Sequence, residues 1–201
     1  IQIFCKAPVL GKVKTRLIQK LGRRGALDLY LQMFERLIAE LSASRFNTEL
    51  WISPDKDHAF FQSYAFARFQ QAGPHLGVRM STALRDGLTR HESVILVGTD
   101  LPLIDRSYIE QAVGALQTHD VVLGPAEDGG YGLVGVNAKT PDMFSDIDWG
   151  TERVLSQTCA RLNRDGLDFG LLPLIWDVDR PDDLPRYQAW LEGRGESMVG
   201  Q

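Results

Sequence analysis

The sequence predicts a three-layer α/β/α sandwich built on a mainly parallel, mixed sheet. Three observations carry that expectation. Short apolar runs alternate with longer amphipathic stretches along most of the 201 residues, the pattern of strand–helix–strand units. Residues 94–97 (V-I-L-V) form a continuous β-branched run, as expected of a central strand covered on both faces. Residues 121–123 and 133–136 are two more strand-like runs joined by a short glycine-containing loop, which implies at least one antiparallel strand.

Taken in order, residues 1–5 (I-Q-I-F-C) read as the first strand, followed by a loop with Pro8 and Gly11. Residues 25–43 carry Leu27, Leu31, Phe34, Ile38 and Leu41 at helical spacing and read as a packing helix. Residues 48–52 read as the second strand, residues 58–67 as a short aromatic helix, and residues 69–71 as another strand. A glycine-rich loop then leads into a helix ending at Leu88. After the central strand, residues 107–116 form an amphipathic helix with Ser107 and Glu110 at capping-box spacing. A helix over 152–162 starts behind Thr151 as N-cap. Residues 171–176 read as a final strand, and Pro181 opens the last helix. The chain reads as one domain over 1–193, with 194–201 as a flexible tail.

Composition limits the function classes. The chain is 44% hydrophobic and 24% charged, ordinary for a globular protein. No apolar run reaches the length of a membrane span. With a net charge of -4 and no reader motif, nucleic acid is not expected as a partner. Cys5 and Cys159 each lie in an apolar pattern, which suits reduced core thiols and a cytoplasmic protein. Charge is unevenly distributed. The first 27 residues hold Lys6, Lys12, Lys14, Arg16, Lys20, Arg23 and Arg24 and no acid. From Asp100 to Glu152 there are ten acids against Arg106 and Lys139. Cations beside carboxylates suit a metal–polyphosphate site, though a solvated surface has the same composition.

Several stretches carry candidate chemistry. Asp100 follows the central strand by two residues, where open α/β sheets bind ligands; alone, G-T-D-L-P is also an ordinary turn. The loop at 6–17, K-A-P-V-L-G-K-V-K-T-R-L, offers Lys6, Lys12, Lys14 and Arg16 to phosphate oxygens. It is neither a Walker loop nor a dinucleotide fingerprint. Arg79 lies at the start of the helix after Q-A-G-P-H-L-G, a place for an anion. In G-P-A-E-D-G-G-Y-G, the pair Gly129-Gly130 allows close backbone approach to a ligand, beside Asp128 and Tyr131. Trp149 and Thr151 lie just before the next helix as candidate substrate contacts. Asp177 and Asp179 leave a strand end as Asp100 does.

Together these motifs, running from Lys6 to Leu184, resemble the nucleotide-diphospho-sugar transferase superfamily with the glycosyltransferase A (GT-A, Rossmann-like) fold. More narrowly, the chain is similar to small bacterial glycosyltransferase-like proteins associated with radical-SAM and selenium-related proteins. The matching stretches are K-A-P-V-L-G-K-V-K-T-R-L, Q-A-G-P-H-L-G-V-R-M, V-G-T-D-L-P, P-A-E-D-G-G-Y-G-L-V-G and D-V-D-R-P-D-D-L. The resemblance implies Asp100 and Asp179 as ligands of Mg²⁺ or Mn²⁺, with Lys14 and Arg16 holding phosphate. Asp128 is then the substrate-orienting carboxylate or general base, with Asp100 also catalytic. Two departures accompany it: the L-A-G-G-x-x-x-R signature of pyrophosphorylase-like relatives is absent, and His75 stands where the small transferases carry Asp.

The function expected is metal-dependent transfer from a nucleotide-activated donor, foremost a nucleoside-diphosphate sugar, to an unidentified acceptor. Nucleotidyl transfer from an NTP to a phosphate or carboxylate, and a non-catalytic nucleotide-binding module, are the alternatives.

Overall fold

The computed structural model describes residues 1–137 and 142–199. Seven strands form one sheet: β1 (Gln2–Lys6), β2 (Glu49–Ser53), β3 (Ala67–Gln70), β4 (Ser93–Gly98), β5 (Val121–Pro125), β6 (Tyr131–Asn137) and β7 (Phe169–Leu171). Their order is β3-β2-β1-β4-β6-β5-β7. Among the described residues only β6 runs against its neighbours, pairing antiparallel with both β4 and β5. The helices are α1 (Ile18–Ser42), α2 (Leu76–Leu88), α3 (Arg106–Ala115), α4 (Val154–Arg164) and α5 (Leu184–Glu192). The mainly parallel α/β architecture expected from sequence is therefore the observed one.

The central strand shows why its sequence is apolar throughout. Ile95 and Val97 enter the core with Phe34, Ile109 and Leu37, from α1 and α3. Val94 and Leu96 point to the opposite face, into the core with Ala83, Leu84 and Leu162 from α2 and α4. Alternate side chains on a strand serve opposite faces, so both layers demand burial. A third core joins Leu17, Leu29 and Met33 to Trp176, Val178, Leu184 and Tyr187, seating α5 against the front half of α1.

Several boundaries differ from expectation for local reasons. α1 is interrupted at Gly22, whose φ is 70° and ψ 171°. The aromatic stretch after Pro54 is only a 3-10 turn, Ala59–Ser63. The N-cap of α3 is Asp105, which accepts from Tyr108 N at 2.9 Å, while Glu110 pairs with Arg106. α4 begins at Val154 behind Arg153, not directly behind Thr151; the Thr151 hydroxyl donates to Asp148 O at 2.8 Å and accepts from Arg153 N at 3.3 Å in the turn that leads into the helix. The expected final strand ends at Leu171, and only an isolated bridge, Ala126 to Ile175, continues it. Residues 194–199 do not hang free: Met198 is buried, Glu196 pairs with Arg36, and Ser197 O accepts from Gln32. Residues 200 and 201 lie outside the described residues.

Candidate active site

The candidate residues gather at the carboxyl edge of the sheet, in two zones that meet between β4 and β6. On the first side, Lys6 ends β1 in register with Ser53 of β2. Arg79 reaches the same place from α2, its Nη1 3.4 Å from Ser53 Oγ and its Nε donating to Gly73 O at 2.9 Å. Just beyond the end of β4 lies Asp100. Its Oδ1 is buried and lies 2.5 Å from Lys14 Nζ, without a well-aligned hydrogen bond. The remainder of the carboxylate reaches solvent, the side chain being 48% exposed.

Lys14 departs from the expected phosphate ligand. Its side chain is only 2% exposed, and its ammonium donates to Val178 O at 2.6 Å while contacting Asp100. Its backbone is left-handed, with φ 46°, an uncommon conformation for a residue with a side chain. Val178 N in turn donates to Asp100 O at 2.9 Å. Lys14 thus ties Asp100 to the segment that carries Asp179. Arg16, one turn on, is the exposed partner: 63% exposed, it pairs with Asp179. A solvent-facing pair is worth about 0–1 kcal/mol, so Arg16 can turn to phosphate at little cost.

On the second side lies a cleft of about 850 Å³, lined by Arg16, Asp128, Gly130, Tyr131, Trp149, Thr151, Glu152, Asp177 and Asp179 among others. The hairpin between β5 and β6 forms one wall. Gly129 has φ 85°, and a Cβ there would fall 2.2 Å from Glu152 O; its own carbonyl accepts from Leu155 N at 2.9 Å. Only glycine lets the hairpin tip lie flat against Glu152 on the approach to α4. Asp128 Oδ1 accepts from Gly130 N at 2.9 Å. Trp149 fills the wall beneath: a Cβ on Gly77 would lie 2.8 Å from its indole, and its ring meets Tyr131 edge-on at 6.4 Å.

Sequence reasoning had not assigned a role to Asp177, Glu127 or Arg186. Burial, then the charges of Asp128 and Asp179, push the Asp177 carboxyl up to about 6. Arg186 grips Glu127 with both Nη atoms, at 2.7 and 3.0 Å, and stacks 4.4 Å over Trp176. Only the acid–Gly–Gly motif hinted at Glu127; Arg186 lies on a helix face whose sequence reads as solvated. Lys6, Lys12 and Arg79 do not line this cleft. His75, standing where the small transferases have Asp, caps α2, with Val78 N directed at its Nδ1 at 3.5 Å.

The donor set suits a hard divalent cation. Mg²⁺ is held by one or two carboxylates together with substrate phosphates, and Asp100 and Asp179 are two such carboxylates joined through Val178. Among the described residues, no group of three or more His, Cys, Asp or Glu forms a closed metal cage, so phosphate oxygens would complete the coordination.

Comparison with known proteins places the chain in a family and identifies its fold. The family described as "uncharacterized protein conserved in bacteria (DUF2064)" matches residues 37–151, more than half the chain. The chain belongs to this family. A protein of Desulfovibrio desulfuricans G20, provisionally described as a nucleotide-diphospho-sugar transferase, is 30% identical. It superposes with a TM-score of 0.88 over 98% of this chain and 90% of its own. The 3-phospho-D-glycerate guanylyltransferase of Phenylobacterium zucineum (strain HLK1) is 32% identical over 120 residues, 56% of this chain. The match spans 51% of that enzyme, about half its length. Glucosyl-3-phosphoglycerate synthase from Mycobacterium tuberculosis, solved with Mn²⁺ and UDP, shares the fold at 11% identity and TM-score 0.52. That superposition covers 99% of this chain and 81% of the synthase. The DUF2064 chain accordingly has the nucleotide-diphospho-sugar transferase fold, and the transferase class expected from its sequence is borne out by these relatives.

Proposed function

We propose that the chain is a divalent-metal-dependent glycosyltransferase acting on a nucleoside-diphosphate sugar. The observation that carries this reading is the junction at Lys14. It holds Asp100, at the donor side, against the segment bearing Asp179, at the mouth of the cleft that contains Asp128. A diphosphate lying across that junction meets Arg16 and both carboxylates, with its sugar directed toward Asp128. Bound there by Asp100 and Asp179, Mg²⁺ or Mn²⁺ would supply Lewis-acid stabilisation of the departing diphosphate.

The chain's own residues account for the rest. Arg16 leaves Asp179 for the outer phosphate oxygens, countering charge as it develops. Asp128, fixed through Oδ1 by Gly130 N, offers Oδ2 to an acceptor hydroxyl and takes its proton. The acceptor oxygen bonds to the anomeric carbon as the bond from that carbon to phosphate breaks, releasing nucleoside diphosphate. Lys14 does not touch phosphate; it sets where Asp100 stands.

The curated relative favours a second reading, nucleotidyl transfer from an NTP, with the same cations at the α-phosphate. Product analysis separates the two. With Mn²⁺ and a panel of sugar nucleotides and NTPs, release of nucleoside diphosphate supports glycosyl transfer, and release of pyrophosphate replaces it with the second reading. Asp100→Asn should reduce metal-dependent turnover by about 10²-fold or more; near-normal turnover removes Asp100 from the mechanism.

A further inference from the structure

An ionised carboxylate accepts hydrogen bonds and donates none. Among the described residues, Asp128, Glu152 and Asp177 line the cleft without an ion-pair partner, whereas Arg16 and Arg186 are held by Asp179 and Glu127. Arg180 is the one arginine on the cleft wall with no ion pair among the described residues. Carboxylates placed this way are satisfied by a ligand that brings donors. A phosphate or carboxylate group brings none at neutral pH, and it adds charge of the same sign as the wall. In the transferase reading above the diphosphate would claim the metal and Arg16, leaving Arg180 as the one unengaged cation against three carboxylates, too few to hold a second anion of two or more charges. In the same cleft, Tyr131 and Trp149 offer half-buried aromatic surface, an apolar face against which ring carbons can lie. At about 850 Å³ the cleft is of small-molecule size.

We propose that the acceptor half of the cleft takes an uncharged, hydroxyl-rich molecule, a sugar or polyol. Its hydroxyls donate to Asp128, Glu152 and Asp177, and phosphorylated acids are excluded. This rests on the transferase reading above and gives its acceptor a chemical class, opposite to the acid in the guanylyltransferase's name.

The test titrates the full chain, with Mn²⁺ and UDP or GDP present, and follows tryptophan emission, since Trp149 lies at the cleft. The probes are methyl α-glucoside, methyl α-mannoside, glycerol and 3-phospho-D-glycerate. At least one neutral probe should bind, and 3-phosphoglycerate should not bind over the same concentrations. The double variant Asp128→Asn/Glu152→Gln should weaken the neutral probe about tenfold or more, since hydrogen bonds to charged groups are lost, and should admit 3-phosphoglycerate. Binding of 3-phosphoglycerate to the unmodified protein as tightly as the best neutral probe overturns the proposal; so does failure of every neutral probe. The unmodified protein decides alone if the variant does not fold. Nucleotide binding is measured separately by thermal shift without acceptor. Its absence sinks the transferase reading, while sugar binding to the nucleotide-free protein still reports on the cleft.

Discussion

At the scale of single residues, two cations of one loop have opposite fates. Arg16 is a surface pair and Lys14 a buried strut, although both stand in the same basic stretch. Their sequence neighbourhood could not distinguish them, because Lys14's partners are 86 and 164 positions away (100 − 14 and 178 − 14). Lys14→Met leaves Val178 O and the buried Asp100 oxygen without the ammonium. The expected loss is about 1–3 kcal/mol, measured by urea unfolding, with turnover falling as Asp100 loses its position. A variant of unchanged stability and activity would show that the strut is idle. Glu127 gives a titration test. The hydrogen bonds from Arg186 hold its carboxyl below the ordinary range. That contribution is therefore present above the usual carboxylate pKa and is lost as pH falls through the lowered one. Carboxyl-carbon NMR of Arg186→Met should show Glu127 titrating higher than in the unmodified protein.

At the scale of elements, periodicity revealed what it physically encodes and nothing more. The apolar stripes of α1 to α5 and the two-sided run of β4 were legible because burial imposes a period on the sequence. The ends were less so. Asp105 rather than Ser107 caps α3 because the chain is already turning there, and β7 stops before Pro173, whose carbonyl accepts from Tyr108 Oη at 2.8 Å. The glycines of the hairpin tip were legible as a place of close backbone approach, but the docking of Gly129 on Glu152 is a long-range packing fact. Gly129→Ala should cost about 1–3 kcal/mol from its left-handed φ alone and more from the contact with Glu152. Loss of activity should accompany the lower urea midpoint. In α5, Tyr187 is fully buried and its hydroxyl has no hydrogen-bond partner among the described residues. Tyr187→Phe should therefore leave stability unchanged or raise it by up to about 1 kcal/mol; a clear loss would reveal a partner for the hydroxyl.

At the scale of the whole molecule, the sheet sorts the chemistry. The ends of β2, β1 and β4 gather Lys6, Arg79 and Asp100, while β6, β5 and the segment after β7 gather Asp128, Tyr131 and Asp179. Asp100, Asp128 and Asp179 were legible as candidates because each follows a strand in a glycine- or proline-marked loop. Asp177 was legible only as a companion of Asp179, and Glu152 was not legible at all, since it meets the cleft through tertiary packing. The third core, joining α5 to the front of α1, is what brings the two zones into contact. Its consequence is a dependence between distant parts of the sequence: Lys14 and Asp100 come from the first half of the chain, while the carbonyl that shares the ammonium belongs to Val178. A substitution that unseats α5 would therefore loosen Asp100 without touching it or Lys14.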